Sequence, residues 1–114
     1  MKGNDYAIYL HQTLIGYAKD VGDNMPNTGG RFEPAPDFES VRELFKSEHE
    51  YLRTGDSEKR RQVMNKLFGM GLRMMRQSTG EVIQSLPDIM PGPSFQGLLA
   101  YMHINDDKVW WRRI

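Results

Sequence analysis

The segment from Asp56 to Gln77 constrains the fold most, because it is the longest stretch of the chain with one clear hydrophobic period. At about 100° per residue, its apolar side chains cover an arc of roughly 200° around a helix. Such a wide arc predicts a helix that is buried on two sides and lies centrally, capped at its start by Asp56 or Ser57. Gly69 and Gly71 weaken this helix by about 1 kcal/mol each relative to alanine. They indicate either close approach of another backbone or a break in the helix.

The other apolar patterns also favour helices, and together they predict a single all-α domain over residues 1–114, with a loop at 22–36. Three main helices are expected at about 5–20, 37–53 and 57–77, with a short helix at about 94–103. Consecutive helices joined by a short turn pack antiparallel, so the second and third should form a central antiparallel helical hairpin.

The first segment allows two interpretations. As a helix over residues 4–21, it places five apolar side chains on one face: Tyr6, Leu10, Leu14, Tyr17 and Val21. As a β-hairpin, it pairs the runs YAIYL and LIGYA, because tyrosine and isoleucine favour strands. The intervening His-Gln-Thr is poor hairpin-turn chemistry, which favours the helix. In that helix, Ile8 and Ile15 lie off the apolar face and either extend the core or contact another chain.

Glu48 interrupts the apolar face of the predicted second helix. An unpaired carboxylate at such a position is costly, so a partner is expected. The third helix returns after the turn at Thr54 and Gly55, which brings Arg60 or Arg61 opposite Glu48. The sequence therefore predicts a structural ion pair, with a functional carboxylate as the alternative.

A stripe of basic residues marks the first candidate binding surface. On the predicted central helix, Lys59, Lys66 and Arg73 are seven residues apart, and with Arg76 they form a row that contains no acidic residue. Such a row can follow a phosphate backbone or meet an acidic partner. The simpler alternative is a solvated face paired with neighbouring acids.

The end of the chain is the second candidate binding surface. Trp110, Trp111, Arg112 and Arg113 lie in a short strand or an extended tail that follows a turn at residues 105–107. If the tryptophans pack back they anchor the C-terminus; if they do not, they form a surface for a protein partner or for nucleic-acid bases. At least one of the two is expected to be buried.

Composition excludes several classes of protein. The chain has no cysteine, so disulfides, thiolate metal sites and cysteine nucleophiles are absent. Its formal net charge is zero, which argues against a generic polyanion binder. No apolar run approaches the roughly 18 residues of a membrane span, and the N-terminal sequence lacks a signal-peptide pattern. We therefore expect no membrane association and a cytoplasmic location, in a host cytoplasm if the protein is viral.

No motif for catalysis is present. The chain lacks a phosphate-binding glycine loop, a nucleophile elbow, a zinc-protease helix and a calcium loop. A metal site built from Glu48, His49, His103 and Asp106 or Asp107 is chemically conceivable, but the spacing of these residues does not require one. We therefore predict no catalytic residue, no metal and no cofactor.

These observations favour a non-enzymatic protein-interaction module. Such a module is a small inhibitor, adaptor or assembly factor that occupies a partner's surface or self-assembles into an oligomer, and accessory proteins of viruses and mobile elements are often of this kind. The alternative is a nucleic-acid-binding protein that uses the basic stripe and the Trp-Trp-Arg-Arg terminus. A small hydrolase or metal-dependent enzyme that uses Glu48 and the histidines is the third hypothesis.

Overall fold

The computed structural model describes residues 5–24, 27–85 and 95–114, and in these ranges the chain forms a closed seven-stranded barrel with two α-helices. The strands are β1 (Tyr6–Leu10), β2 (Thr13–Asn24), β3 (Asn27–Pro34), β4 (Leu72–Arg76), β5 (Val82–Gln84), β6 (Phe95–Asn105) and β7 (Lys108–Arg113). Between β3 and β4 lie a short 3₁₀ helix (Pro36–Ser40), α1 (Arg42–Thr54) and α2 (Ser57–Gly69).

The strands follow the order β1-β2-β3-β7-β6-β5-β4 around the barrel, and pairing of β4 with β1 closes it. Neighbouring strands are antiparallel except β5 and β6, which run parallel. The prediction of an all-α domain organised around a central helical hairpin is therefore wrong. The chain is mostly β, and its helices pack on the barrel, with α1 against β6.

The predicted central helix is shorter than expected. α2 ends at Gly69, and Gly71 adopts a left-handed backbone (φ 79°) that an α-helix cannot contain. The amide of Gly71 donates to the carbonyl of Phe68, and the chain then enters strand β4. The second interpretation of Gly69 and Gly71, a break in the helix, is confirmed.

The first segment is the β-hairpin rather than the helix. β1 and β2 are joined by His11 and Gln12, with Leu10 opposite Thr13 and His11 at positive φ (56°). Contacts with β4 and with Gly71 just before it hold this turn: the His11 amide donates to the Gly71 carbonyl at 2.8 Å, and Arg73 Nε donates to the His11 carbonyl at 2.9 Å. The turn residues suit a hairpin poorly, and tertiary hydrogen bonds compensate.

Irregularities in the strands explain why apolar spacing suggested helices. A shift of register between Leu99 and Tyr101 interrupts the alternation of β6, so Leu99 and Met102 are both buried although they are three residues apart. A similar shift in β2 buries both Ala18 and Val21. Buried residues three apart are also expected on one face of a helix. Both expected helices, at 94–103 and at 5–20, are therefore wrong, because the register shifts gave these strands a helical spacing.

The expected loop at 22–36 is largely strand. The end of β2 and the whole of β3 occupy this range, and residues 25–26 lie outside the described part of the chain. Glycines allow the backbones to approach closely here. A Cβ on Gly29 would lie 2.8 Å from the carbonyl oxygen of Val109 on β7. Gly29 and Gly30 are thus sites of close strand contact, whereas a Cβ on Gly22 would meet nothing within 4 Å.

The barrel and the helices share one hydrophobic core. Ile8 and Ile15, which the helical interpretation left off the core face, are both fully buried in it. The helices contribute Phe45 from α1 and Leu67 from α2. Trp111 of β7 lies inside and packs edge-on against the ring of Tyr6 at 5.3 Å between centroids. The prediction that at least one tryptophan is buried is confirmed.

The ends of the helices follow the sequence signals. Gly55 ends α1 in a left-handed conformation (φ 80°), and the Asp56 side chain caps α2 by accepting from the Lys59 amide at 3.2 Å. On the solvent side of α1, hydrogen bonding from Arg53 lowers the pKa of the Glu50 carboxyl. The boundary between the two helices was thus predictable from local residues alone.

Close strand packing at Gly16 is testable by comparison with a glycine in open space. A Cβ at Gly16 would lie 2.6 Å from the ring of Phe32 and 2.8 Å from the Glu33 carbonyl oxygen, whereas a Cβ at Gly69 meets nothing within 4 Å. We expect Gly16→Ala to lower the free energy of unfolding by about 1–3 kcal/mol. Gly69→Ala should be neutral or raise it by about 0.4–1 kcal/mol. Urea denaturation measures both, and equal effects would contradict this packing.

Candidate functional site

Three polar side chains, from α1, α2 and β6, meet where the helices cover the barrel. Glu48 of α1 and His103 of β6 are buried, with 0% and 3% of their surfaces exposed. Glu48 Oε2 lies 2.8 Å from Arg60 Nε and 2.7 Å from His103 Nδ1. Arg60 Nη2 lies 2.8 Å from His103 Nε2, so the three groups form a closed triangle. We call Glu48, Arg60 and His103 the buried cluster.

The hydrogen bonds of the buried cluster determine where its protons lie. A guanidinium can only donate, so His103 Nε2 must accept from Arg60. A neutral His103 carries one ring N–H, which is then on Nδ1 and donates to Glu48. The sequence predicted an ion pair of Glu48 with Arg60 or Arg61; Arg60 is the partner, and His103 is an additional one.

Aromatic rings surround the buried cluster. The rings of Tyr101 and Trp110 lie 4.8 and 5.2 Å from that of His103, and the Arg60 guanidinium lies 5.4 Å from the centroid of Tyr101. The Tyr101 hydroxyl donates to Oδ1 of Asn27. These contacts restrict the orientation of His103 and Arg60, because the side chains packed on them are themselves held.

The chemistry open to the buried cluster is limited. Both ring nitrogens of His103 are engaged by other protein groups, so His103 presents no free base to a substrate, and Oε2 of Glu48 is engaged as well. Oε1 of Glu48 and Nδ1 of His49 are buried and have no hydrogen-bond partner in the described part of the chain. Within the same ranges, no three histidine, aspartate or glutamate side chains are grouped to hold a metal ion.

A surface pocket of about 190 Å³ adjoins the buried cluster and lies between α2 and β6. Ser57, Arg60, Arg61, Asn65 and Tyr101 supply its polar groups, and Met64, Phe68 and Ala100 its apolar wall. Arg60 belongs to both the buried cluster and the pocket, with 26% of its side chain exposed. Arg60 therefore connects the interior of the helix layer with the surface.

The predicted basic stripe is divided between two elements. Lys59 and Lys66 are exposed on α2, whereas Arg73 and Arg76 belong to β4, because the helix ends at Gly69. Arg73 also stacks on Tyr9 and bonds the His11 carbonyl, so part of it serves the barrel. The helical alignment of these four residues is wrong, and their binding role stays a prediction.

The C-terminal candidates lie on both sides of the barrel wall, because successive residues of a strand point in opposite directions. Trp111 is buried inside the barrel, so its ring is not accessible to a partner in this structure. Trp110 is half-buried beneath α1, 6.4 Å from the ring of His49. Arg112 and Arg113 are exposed at the end of β7. The two arginines and the exposed part of Trp110 therefore remain as surface candidates, and their binding role stays a prediction.

The sequence interpretation named His103 with Glu48 only as part of a conceivable metal site, and it missed both the hydrogen bond between them and the role of Tyr101. Glu48 and His103 are 55 residues apart, and no local signal joins them. A signal for their orientation was nevertheless present, because apolar Met102 and Ile104 alternate with Tyr101, His103 and Asn105 as in a strand with one buried face. This alternation predicts that Tyr101 and His103 share one face.

No family model, curated protein or solved structure matches this chain in the comparisons with known proteins. The geometry of the site therefore carries the functional argument alone. Among the described residues, neither helix is long and apolar enough to cross a membrane.

The proton arrangement of the buried cluster is testable by NMR. We expect neutral His103 to carry its proton on Nδ1, because Nε2 accepts from Arg60. Long-range ¹H–¹⁵N correlation spectra at pH 8 distinguish the two ring tautomers, and the spectrum of a His103→Gln variant assigns the signals. A proton on Nε2 would contradict the proposed triangle.

The energetic role of Glu48 is testable by truncation. Glu48→Ala should lower the free energy of unfolding by about 3–5 kcal/mol, because the buried side of Arg60 loses its counter-charge and His103 loses its acceptor. Urea denaturation measures this loss. Glu50→Ala removes an exposed carboxylate two residues away and should have a much smaller effect. If both variants were equally stable, Glu48 would not hold the helices on the barrel.

Proposed function

We propose that this protein is a non-enzymatic protein-interaction module that binds a partner at the pocket between α2 and β6. The observation that carries the proposal is the pocket itself, which combines an apolar wall with guanidinium, hydroxyl and amide groups on rigid elements. A central apolar contact with polar groups around it is the usual anatomy of a protein-binding hot spot.

The size of the pocket supports binding of a side chain rather than of a whole substrate or cofactor. Pockets that enclose a drug-sized ligand usually measure about 300–1,000 Å³, and this pocket measures about 190 Å³. A space of this size suits one or two side chains of a partner whose remaining surface lies outside it.

The buried cluster supports a non-enzymatic role. General acid–base catalysis needs a side chain that can reach the substrate and exchange a proton with it. His103 is 3% exposed, and both of its nitrogens are occupied by Glu48 and Arg60. The cluster is better suited to hold Arg60 in place than to react.

We further propose that the protein acts in the cytoplasm, or in a host cytoplasm if it is viral. A chain without cysteine needs no oxidising compartment to fold. The partner is another protein or a second copy of this chain. Light scattering on the wild-type chain and on Asn65→Trp separates these two, because an identical copy would be detected as a dimer.

A library experiment tests the proposal. Random peptides displayed on phage are selected on the immobilised full-length chain, and enriched peptides are synthesised and their dissociation constants measured by fluorescence anisotropy. We expect enriched peptides to bind the wild-type protein and to lose at least tenfold in affinity for Asn65→Trp, because tryptophan at this exposed position fills the pocket.

Gln62→Trp is the matched control. Gln62 is also exposed on α2, one turn earlier, but it does not line the pocket. This variant should bind the peptides as the wild type does. The proposal is overturned if no enriched peptide distinguishes the two tryptophan variants, or if the protein dimerises through a surface that Asn65→Trp leaves intact.

A further inference from the structure

We infer that the pocket between α2 and β6 is a site for the carboxylate of an acidic side chain, and that Arg60 receives it. This inference rests on the proposed function and names the chemistry of the partner: a protein segment in which Glu or Asp adjoins an apolar residue.

Arg60 retains hydrogen-bonding capacity toward the pocket. A guanidinium has five N–H donors, and the buried cluster uses two of them, one to Glu48 and one to His103. Three donors therefore remain on a side chain that is partly exposed and lines the pocket. The planar guanidinium matches a carboxylate, which it can bind through two parallel hydrogen bonds.

The charges around the pocket favour an anion. Among the described residues, Arg60 and Arg61 are the only charged side chains in its lining, which includes no carboxylate from that part of the chain. Arg112 of β7 lies opposite Tyr101, whose side chain lines the pocket, so a third arginine adjoins it on the same face of the sheet. Glu48, the counter-charge of Arg60, is completely buried and cannot occupy the pocket.

Glu58 is the nearest competitor for Arg61. The two form an exposed ion pair with 2.6 Å between Arg61 Nη2 and Glu58 Oε2. Exposed pairs of this kind contribute little to stability because both groups are well solvated. Arg61 can therefore exchange Glu58 for a partner carboxylate at small cost.

The buried cluster prepares Arg60 for binding. Glu48 and His103 hold the inner edge of the guanidinium, and Tyr101 lies against its face. Little side-chain freedom remains to be lost on binding, which favours affinity. Met64 and Phe68 form the apolar wall, and they can contact the methylene groups of a glutamate or a neighbouring apolar side chain.

The peptides selected on the full-length chain test this inference. We expect the enriched peptides to share a glutamate or aspartate next to an apolar residue. Replacing that glutamate by glutamine, or that aspartate by asparagine, should weaken binding about tenfold or more, because a charge-assisted hydrogen bond becomes a neutral one.

Variants of the rim identify the receiving residues without disturbing the buried cluster. Arg61→Gln and Arg112→Gln should each weaken peptide binding several-fold and reduce its dependence on salt. Lys66→Gln is the matched control, because Lys66 is an exposed cation on α2 that does not line the pocket. Arg60→Lys keeps the charge but removes the planar fork, so it should weaken binding more than either rim variant.

Each outcome distinguishes this inference from the function on which it rests. Enriched peptides that lack acidic residues, or that tolerate the glutamine exchange, would overturn the carboxylate site while pocket-dependent protein binding stands. The carboxylate site would also be overturned if inorganic phosphate or a random DNA duplex, at the same concentration as the peptide, displaced the peptide. That result would indicate a phosphate ligand. Failure of Asn65→Trp to impair any enriched peptide would overturn the proposed function itself.

Discussion

Glu48 joins the helices to the barrel through hydrogen bonds that its own burial makes necessary. A fully buried carboxylate needs charged or polar partners, and Arg60 and His103 provide them from α2 and β6. The same contacts fix the guanidinium of Arg60 beside the surface pocket. The position of the proposed binding group thus follows from the requirement to compensate one buried charge.

Barrel closure determines which residues can meet at this site. β7 lies between β3 and β6, and β1 pairs with β4, so the sheet has no free edge among the described strands. The helices connect β3 with β4, and α1 packs on β6. His103 and Tyr101 point outward from β6 toward these helices. A polar site consequently forms outside the barrel, while its interior remains apolar.

The spacing of the apolar residues led to a wrong prediction of an all-α fold, and the reason is physical. A bulge makes two buried residues of one strand lie three apart, as Leu99 and Met102 do in β6. The same spacing is expected for one face of a helix. The tight turn at His11 also lacks the usual turn residues, and hydrogen bonds with Gly71 and Arg73 stabilise it instead. The bulge and the turn both depend on contacts with other strands, and the local sequence pattern contains no information about those contacts.

The sequence by itself determined the local features: the end of α1 at Gly55, a cap of α2 at Asp56 or Ser57, the turn at residues 105–107 and the contact of Glu48 with Arg60 or Arg61. Each depends on residues that are close along the chain. Only the tertiary structure decided the strand pairings, the meeting of His103 with Glu48 and the pocket between α2 and β6. A strand obtains its hydrogen-bond partners from distant segments, so the arrangement of these groups is a property of the closed barrel.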